Sequence, residues 1–257
     1  MRRALPRHSL YQRRGQCVIA VKAPEQYGKI TLFGDSIPKG YTTKCGKIEK
    51  VEGDAVTLLE KKYGFSIENR SMYGQTLNRL YERRVVERYI EESKGSPDRT
   101  VVFCIGGNDS DFDWKAVAAE PLAPHESKTP LPLFKRELGE LIVKLKNDGV
   151  KVMLTTLPPV DSSRFFEKII CRMADGEQVL RFFNGDVTNI SRYQESYNLA
   201  VIETAVKNDC RLIDIRTPFL MQHDYLSNYS DDGIHPNAAG HKVIAESVMQ
   251  FIDDLAE

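Results

Sequence analysis

Three short motifs bring together the residue types that carry out nucleophilic acyl transfer. Residues 34–37 read Gly-Asp-Ser-Ile, residues 106–109 read Gly-Gly-Asn-Asp, and residues 232–236 read Asp-Gly-Ile-His-Pro. A serine hydroxyl attacks a carbonyl when a histidine takes its proton, and a carboxylate orients that histidine. An amide N–H stabilises the oxyanion that the attack creates. The sequence therefore contains a candidate nucleophile, base, orienting acid and oxyanion donor.

The candidate nucleophile is Ser36. It follows the apolar run at 29–33, which is rich in strand-forming residues, and it precedes a predicted helix. A serine at the carboxyl end of a central parallel strand is exposed in the ligand crevice of an open α/β sheet. Gly-Asp-Ser is also a common turn and helix-capping sequence, so this motif alone leaves a structural role open.

The candidate base and its orienting acid are His235 and Asp232. Because two residues separate them, the carboxylate can accept a hydrogen bond from one imidazole nitrogen while the other nitrogen faces a nucleophile. Asp231 is a second candidate for the orienting acid, but the spacing favours Asp232. His241 shares the apolar face of the last predicted helix with Ile244, so we expect it to pack rather than to bind a metal.

Two further residues are candidate donors to an oxyanion. Asn108 follows the predicted strand at 100–105 and can present a side-chain N–H, while the neighbouring glycines let the backbone approach a ligand closely. Gly74 follows the predicted strand at 65–69 and can offer a backbone N–H that no side chain obstructs. Taken alone, a glycine after a strand indicates only a turn.

The elements that must position these residues alternate between strand and helix patterns. Strands are predicted at 29–33, 65–69, 100–105, 150–156 and 211–215, and helices at 46–62, 75–93, 131–148, 189–207 and 237–255. This alternation indicates a flavodoxin-like, doubly wound α/β domain, with a parallel sheet of about five strands and helices on both faces. The carboxyl ends of parallel strands share one edge, so the motifs and Gly74 are expected to meet there.

The chain is predicted to form one domain at 29–257 behind an arginine-rich amino-terminal extension at 1–28. Two connections, near 110–130 and 157–188, are longer than ordinary loops and follow predicted strands, so we expect them to form the walls of a pocket. The second connection carries phenylalanines that either line an acyl or sugar pocket or pack the insertion onto its own domain: Phe165, Phe166, Phe182 and Phe183.

Composition argues against several classes of protein. The 257 residues include 36 basic and 36 acidic side chains, so no net charge attracts nucleic acid or an anionic membrane. No stretch approaches the roughly 20 apolar residues of a membrane span, and no signal-peptide core is visible. The five cysteines form no CxxC pair, which favours reduced thiols. We therefore expect a cytoplasmic protein with no nucleic-acid partner and no membrane span.

From residue 29 to the carboxyl terminus, the motifs and their order resemble the SGNH hydrolase superfamily, whose members are also called GDSL esterases and lipases. The four matching blocks surround Ser36, Gly74, Asn108 and His235. Ile37 stands where the family name has leucine, so one branched aliphatic residue replaces another. The sequence lacks the GxGxxG, HExxH and GxSxG motifs of dinucleotide oxidoreductases, zincins and ordinary α/β-hydrolases.

The resemblance implies the SGNH hydrolase fold and a role for each site residue. Ser36 would be the nucleophile, His235 its base, and Asp232 the residue that orients His235. The backbone N–H groups of Ser36 and Gly74 and the side chain of Asn108 would form the oxyanion hole. No step of this chemistry needs a metal or an organic cofactor, and we expect none.

The expected function is hydrolysis of a carboxylic ester through an acyl-enzyme on a serine. The resembling family includes many acetylesterases, so the expected substrate is a small acyl group such as acetyl on a carbohydrate. Asp111, Asp113 and Trp114 offer sugar contacts, or instead cap a helix and pack. A lipase-type or thioesterase-type acyl hydrolase is the alternative, since the phenylalanines of the second connection could hold a longer chain. A non-catalytic carbohydrate-binding module is a third hypothesis.

Overall fold

The strands of the computed structural model, which describes residues 28–255, form one parallel sheet and one hairpin. In chain order they are β1 (Lys29–Gly34), β2 (Tyr41–Lys44), β3 (Lys47–Lys50), β4 (Ile67–Asn69), β5 (Arg99–Cys104), β6 (Lys151–Thr155) and β7 (Arg211–Ile213). The sheet has the order β4-β1-β5-β6-β7 with every neighbouring pair parallel, whereas β2 and β3 pair antiparallel. The predicted α/β fold with a five-stranded parallel sheet is confirmed.

Helices make most of the connections between the strands. Those of the described residues are α1 (Ala55–Tyr63), α2 (Leu77–Glu82), α3 (Val85–Glu92), α4 (Trp114–Ala119), α5 (Leu131–Asn147), α6 (Ser162–Phe165), α7 (Cys171–Met173), α8 (Gly176–Phe182), α9 (Asn189–Lys207), α10 (Thr217–Leu220) and α11 (Ala238–Asp254). A π-helical segment, Phe166–Ile170, joins α6 to α7, and a 3₁₀ turn occupies Tyr225–Asn228. Within residues 28–255, no helix has the length and apolar character needed to cross a membrane.

Helices cover both faces of the sheet because successive strand residues point to opposite sides. Leu32 belongs to one apolar cluster with Ile244 of α11. Its neighbour Phe33 lies in the other cluster, where its ring centroid is 5.7 Å from that of Tyr89 on α3. The sheet is therefore a buried platform, and its carboxyl edge is where the sequence motifs emerge. The extension predicted at 1–28 lies outside the described residues apart from Gly28, and the domain boundaries stay predictions.

The helix predicted at 46–62 is partly wrong, since α1 begins only at Ala55. The residues before it form the hairpin of β2 and β3, which turns through Cys45 and Gly46. Their φ angles of 51° and 75° fit a two-residue hairpin turn with both central residues left-handed. The Asp54 side chain then accepts hydrogen bonds from two backbone N–H groups of the first helical turn and fixes where α1 starts.

The helix predicted at 75–93 is two shorter helices, α2 and α3. Arg84 between them has a φ of 52°, a left-handed conformation that an uninterrupted right-handed helix does not contain. The Thr76 side chain caps α2 by accepting a hydrogen bond from the backbone N–H of Arg79 at 3.3 Å. The break lets both helices bury apolar side chains against the same face of the sheet, as Leu80 and Tyr89 show.

The two long connections contain helices of their own and pack against each other. The first holds α4, and the second holds α6, the π-helical segment, α7 and α8. The ring centroids of Trp114 and Phe183, one from each connection, lie 5.8 Å apart. Together the connections share an apolar cluster, here called the insertion cluster, formed by Phe112, Trp114, Val117, Phe165, Ile170, Val179, Phe183 and Ile190.

Candidate active site

The carboxyl ends of three adjacent strands, β4, β1 and β5, bring the segments that carry Gly74, Ser36 and Asn108 to one edge of the sheet. β1 and β5 pair with Gly34 opposite Cys104, so the residues that follow them leave the sheet side by side. The loop after β4 is tied to the same place, because the Met72 N–H donates to the Gly34 carbonyl at 3.0 Å. A Cβ at position 34 would lie 2.6 Å from the Cys104 carbonyl oxygen, so this approach requires glycine.

Ser36, His235 and Asp232 form a continuous chain of hydrogen bonds. The Ser36 Oγ lies 2.8 Å from His235 Nε2, and His235 Nδ1 lies 2.6 Å from Asp232 Oδ2. The three residues are 6%, 5% and 2% exposed, so little water competes for these contacts. A nucleophile bonded to a base that is itself bonded to an acid is the arrangement that activates serine hydroxyls.

The Asp232 carboxylate is held on both of its oxygens. Oδ2 accepts from His235 and from the Thr43 hydroxyl, while Oδ1 accepts from Ser230 Oγ at 2.8 Å and from the backbone N–H groups of Ile234 and His235 at 3.0 Å. Burial alone would raise the pKa of Asp232, but the hydrogen bonds and charge of His235, with the Thr43 hydroxyl, hold that pKa well below its usual value. The group is therefore ionised wherever the imidazole works as a base.

Asp231, the second candidate for the orienting acid, makes a different contact. Its exposed carboxylate accepts a hydrogen bond from the backbone N–H of Cys45, at the tip of the hairpin, at 2.9 Å. The contact with the His235 imidazole belongs to Asp232. The structure thus gives the two neighbouring carboxylates separate partners, as the spacing argument favours.

Gly233 joins the aspartate to the histidine and fixes the loop onto the second insertion. Its carbonyl accepts a hydrogen bond from the Asp161 N–H at 2.8 Å. Its φ is +73°, and a Cβ there would lie 2.8 Å from both the Asp161 carbonyl oxygen and Arg164 Cβ. Glycine is needed at this position for the left-handed backbone and for the close approach.

The three predicted oxyanion donors, one of which is the candidate nucleophile Ser36, line one cleft. Asn108 Nδ2 donates to Asp35 Oδ2 at 3.3 Å, which fixes the orientation of the amide. Gly74 has a φ of +66°, and the space where its Cβ would lie is open to 4 Å. The structure therefore brings Ser36, Gly74 and Asn108 to the same opening, beside the imidazole of His235.

Two buried acids lie behind the candidate donors, and sequence reasoning assigned neither a role. Asp35 Oδ1 accepts from the backbone N–H of Ile37 at 2.9 Å, and burial raises the pKa of Asp35 to about 6. Asp109 Oδ1 accepts from the backbone N–H of Leu77 at 2.8 Å. Burial and, to a smaller extent, the charge of Asp35 raise the pKa of Asp109 to about 7. Asp35 lies inside the motif at 34–37 and Asp109 inside the motif at 106–109. This position is the sequence signal that could have identified them.

Two other neighbours of the imidazole and its acid were missed from the sequence. The ring of Tyr73 lies nearly parallel to His235, at 15° with centroids 6.1 Å apart, and Tyr41 packs against it at 6.0 Å. Thr43 donates its hydroxyl proton to Asp232. Tyr73 directly precedes a candidate donor, which is a usable signal. Thr43 had none, because it belongs to a hairpin that was not predicted.

A cleft of about 850 Å³ leads to Ser36 and His235, within the usual range of small-molecule sites. Apolar side chains of the insertion cluster line part of it, namely Phe112, Trp114, Phe165, Phe183 and Ile190. Polar side chains line other parts, namely Asn78, Arg79, Glu82, Asp111 and Lys128. Of the other phenylalanines of the second insertion, Phe166 and Phe182 pack against the insertion cluster.

The residues considered for sugar contacts in the first insertion are engaged within the protein. Asp111 forms an ion pair with Lys128, with 2.5 Å between carboxylate oxygen and Nζ. The Asp113 side chain accepts from two backbone N–H groups and caps α4. Trp114 is only 3% exposed. All of them also border the cleft, so the capping and packing roles and a place at the cleft coexist.

His241 is a buried packing residue at the start of α11. Its Nδ1 accepts a hydrogen bond from the Ala55 N–H at 3.3 Å, and burial lowers its pKa to about 4. Between residues 28 and 255, no three histidine, cysteine or acidic side chains are grouped as metal ligands would be. The geometry of His241 is that of a neutral imidazole serving as an acceptor.

The chain is similar to known proteins over most of its length. A family model described as the GDSL-like lipase/acylhydrolase family matches residues 32–243. The chain is 22% identical over 187 residues to GDSL esterase/lipase CPRD49 of Arabidopsis thaliana, a match that covers 72% of this chain. It spans 65% of the length of that curated relative.

Solved structures share the fold. A lipase/acylhydrolase from Enterococcus faecalis superposes with a TM-score of 0.62 at 21% identity, covering 89% of this chain and 96% of that chain. Axe2, an acetylxylan esterase from Geobacillus stearothermophilus, gives a TM-score of 0.57 at 18% identity, covering 88% and 95%. At these identities the likeness establishes the common architecture.

Proposed function

Because the chain belongs to the GDSL-like lipase/acylhydrolase family, we propose that it hydrolyses carboxylic esters with Ser36 as the nucleophile. The observation that carries this proposal is the chain of hydrogen bonds from Ser36 Oγ through His235 to Asp232, at 2.8 and 2.6 Å. Ser36 and His235 border a cleft of about 850 Å³, which has room for a small ester and its leaving group.

In the first half-reaction, His235 Nε2 takes the proton of the Ser36 hydroxyl as Oγ attacks the ester carbonyl carbon. The carbonyl π electrons move to oxygen, and the Ser36 N–H, the Gly74 N–H and the Asn108 amide hold the resulting oxyanion. Asp232 stabilises the imidazolium that forms. When the tetrahedral intermediate collapses, the imidazolium protonates the departing alcohol and leaves the acyl group on Ser36.

In the second half-reaction, a water molecule takes the place of the alcohol. His235 removes one of its protons, and the water oxygen attacks the acyl carbon on Ser36. The same donors hold the second oxyanion. Collapse of this intermediate breaks the bond to Oγ, returns a proton to Ser36 and releases the carboxylic acid.

Asn108 can serve the oxyanion because its amide has two hydrogens. One is directed to Asp35 Oδ2, at an N–O distance of 3.3 Å, and this bond fixes the plane of the amide. The other is free to point into the cleft that Asn108 lines. The pairing makes Asp35 a support for the oxyanion hole.

Within this reaction class, we propose an acetyl group on a carbohydrate as the substrate. A solved structure with the same fold is an acetylxylan esterase, and the cleft carries side chains that hydrogen-bond hydroxyl groups, including Asn78, Arg79 and Glu82. A small acyl group would occupy the space next to Ser36, and a sugar leaving group would extend along these polar side chains.

The insertion cluster favours a second candidate substrate, an ester with a longer acyl chain. Its aromatic side chains at the cleft, such as Phe165 and Phe183, offer apolar surface that an acetyl group would not use. Hydrolysis of p-nitrophenyl esters from acetate to octanoate separates the two. Highest kcat/KM with acetate supports the acetyl substrate, whereas an optimum at butyrate or beyond supports the longer chain.

The reaction class is tested by intact mass after incubation with a fluorophosphonate, together with hydrolysis of p-nitrophenyl acetate. Wild type is expected to gain one adduct and to hydrolyse the ester, while Ser36→Ala does neither. Ser71→Ala is the matched control, because Ser71 is buried beside Gly34 and its hydroxyl has no hydrogen-bond partner among residues 28–255. Absence of adduct and of hydrolysis in folded wild type, with binding of a sugar, would support the carbohydrate-binding module instead.

Three expectations from the sequence remain part of this proposal. Acyl transfer through Ser36 and His235 needs no metal, so hydrolysis should persist in EDTA at the wild-type rate. A cytoplasmic location is tested by cell fractionation with an antibody to the protein. Absence of a nucleic-acid partner is tested by retention on heparin at low salt, where a chain with zero formal charge should not bind.

A further inference from the structure

The hairpin of β2 and β3 lies against the loop that carries the acid and the base. Thr43, on β2, is 8% exposed, and its Oγ1 donates to Asp232 Oδ2 across 189 positions of sequence. At the turn, the Cys45 N–H donates to Asp231 at 2.9 Å. The hairpin therefore holds two consecutive aspartates by separate hydrogen bonds.

Thr43 shares its acceptor atom with the imidazole. Asp232 Oδ2 accepts from both the Thr43 hydroxyl and His235 Nδ1, whereas the bonds to Oδ1 come from the loop's own Ser230, Ile234 and His235. Of the described donors to this carboxylate, Thr43 is thus the one that comes from outside residues 230–235. The Thr43 hydroxyl and the imidazole therefore converge on one oxygen of the carboxylate.

We propose that Thr43 is a positioning residue for the hydrolytic reaction, fixing the Asp232 carboxylate and through it the His235 imidazole, with the hairpin as the element that delivers it. This inference rests on the proposed function, because it concerns the same serine, histidine and aspartate. Thr43 is not among the described residues that line the cleft, and its hydroxyl bonds to Asp232, so its influence passes through Asp232.

The hydroxyl acts on both geometry and charge. A carboxylate with one hydrogen-bonded partner fewer rotates more freely, and a general base works only at hydrogen-bond distance from the proton it takes. The Thr43 proton also draws negative charge from Oδ2. Without it, Oδ2 would carry more negative charge beside the imidazole, so we expect the pH dependence of hydrolysis to move to higher pH.

Other titratable groups also act on the imidazole and its acid. Asp35 interacts electrostatically with His235, Tyr73 with Asp232, and buried His241 with His235. Asp231 adjoins Asp232 but is exposed and bound to the hairpin. A substitution at Thr43 leaves each of these groups in place, so a change in the pH profile reports on the lost hydroxyl.

The test compares Thr43→Val, which removes the hydroxyl at nearly constant shape, with Thr43→Ser, which keeps it. Thr42→Val is the matched control, since Thr42 is the adjacent residue on β2 and its Oγ1 has no hydrogen-bond partner in the described part of the chain. With p-nitrophenyl acetate we expect kcat of Thr43→Val to fall about tenfold, as for loss of a bond to a charged group, with KM nearly unchanged. The acid limb of kcat/KM should move to higher pH.

Thr43→Ser should restore kcat to within about threefold of wild type and restore the pH profile, and Thr42→Val should match wild type in both. Wild-type kcat and pH profile in folded Thr43→Val would overturn the inference. If Thr43→Val does not fold, Thr43→Ser decides, because a tenfold loss in a folded variant that keeps the hydroxyl would also overturn it.

Failure of the proposed function has a different signature, namely no hydrolysis and no fluorophosphonate adduct in wild type. The inference then stands or falls on the NMR signal of the His235 Nδ1 proton, which reports the bond to Asp232 without turnover. A shift of this signal in Thr43→Val and not in Thr42→Val supports the positioning role. An unchanged signal in both overturns it.

Discussion

At the scale of single residues, Asn108 is the clearest test of how the cleft stabilises charge. Its amide is fixed by Asp35 at 3.3 Å, so it is oriented before substrate arrives. Removal of one such donor costs about 3–4 kcal/mol in the transition state, so Asn108→Ala should lower kcat at least a hundredfold. KM should change little, because the oxyanion exists only after attack. Steady-state kinetics with p-nitrophenyl acetate measure both.

The exposed Asn147 at the end of α5 gives the control for this prediction. Asn147→Ala makes the same chemical change far from the cleft and should keep wild-type kcat. A thermal melt of Asn108→Ala checks that the loss is not unfolding, since the substitution also removes a hydrogen bond from buried Asp35. A loss of less than about threefold would make Asn108 a structural residue.

Gly233 provides a second test at the residue scale, because two constraints coincide there. Its φ is +73°, and an added Cβ would lie 2.8 Å from the Asp161 carbonyl oxygen. Gly233→Ala should therefore displace the loop and lower kcat at least tenfold. The free energy of unfolding should fall by more than the roughly 1–2 kcal/mol that a left-handed backbone alone costs a residue with a Cβ. The measurements are kcat and the free energy of unfolding in urea.

Gly149→Ala separates the two constraints on Gly233. Gly149 has a φ of +75°, and no atom of the described residues lies within 4 Å of the position its Cβ would take. This variant should lose about 1–2 kcal/mol of stability and keep wild-type kcat. Equal kcat in the two glycine variants would show that contact between the loop and the second insertion does not position His235.

At the scale of elements, the strands were predictable and the hairpin was not. The central strands β1, β5 and β6 are short, mostly apolar runs because they are buried on both faces, and that pattern is visible in sequence. β3 is exposed at all four positions, so no hydrophobic alternation marks it, and the helix predicted at 46–62 took in its residues. The left-handed pair at Cys45 and Gly46 contains a single glycine as its turn signal.

The candidate site likewise contains residues that the sequence predicts and residues that it does not. Ser36, Gly74 and Asn108 each follow a strand, so sheet topology alone brings them to one edge. Thr43 meets Asp232 across 189 positions, and no local pattern encodes a contact between a surface hairpin and a distant loop. Asp232 and His235 follow no strand, but their spacing just before α11 identifies them. A supporting group such as Thr43, delivered from a distant element, carries no signal of either kind.

The insertion cluster is an element-scale feature whose role Trp114 can test. Trp114 is 3% exposed and packs against Phe183 and Phe165 at 5.8 and 6.4 Å. Trp114→Ala removes a side chain of the kind that typically contributes about 3–5 kcal/mol of packing, which should loosen both insertions while the sheet stays intact. We expect faster hydrogen exchange in 110–130 and 157–188, and a larger fall in kcat/KM for butyrate than for acetate.

Leu122→Ala is the control in the same insertion, because Leu122 is 79% exposed and its removal should alter neither exchange nor kinetics. Exchange that rises equally in β1 and β5 would show that the insertions unfold together with the sheet. Equal losses for butyrate and acetate would show that the insertion cluster does not contact the acyl chain, and would favour the acetyl substrate.

At the scale of the whole molecule, buried titratable groups tie stability to pH in opposite directions. Asp35 and Asp109 have pKa values raised to about 6 and about 7. In the unfolded chain these acids ionise near pH 4, whereas the folded protein keeps them protonated to higher pH. Their contribution to the free energy of unfolding therefore falls as pH rises from about 4 to 7. His241 acts the other way, since burial lowers its pKa to about 4.

The sign for His241 follows from which state binds the proton first. Below about pH 6.5 the unfolded chain protonates this imidazole, whereas the folded protein keeps it neutral until about pH 4. Asp54 opposes this shift in pKa and Lys50 adds to it, both more weakly than burial. Stability from His241 is therefore present at pH 7 and lost as pH falls toward 4, by about 2–3 kcal/mol at pH 4.5.

The acids and His241 act over the same pH range, so their effects must be separated by difference. The quantity to measure is the free energy of unfolding of wild type minus that of His241→Asn, from urea titrations at pH 7 and 4.5. It should fall by about 2–3 kcal/mol, because the acids contribute equally to both proteins and cancel. His223→Asn makes the same chemical change at an exposed histidine and is the control for the substitution itself. If the His241 difference is constant between the two pH values, then protonated His241 is accommodated in the folded protein, and the Ala55 N–H, which now donates to its Nδ1 at 3.3 Å, must find another acceptor.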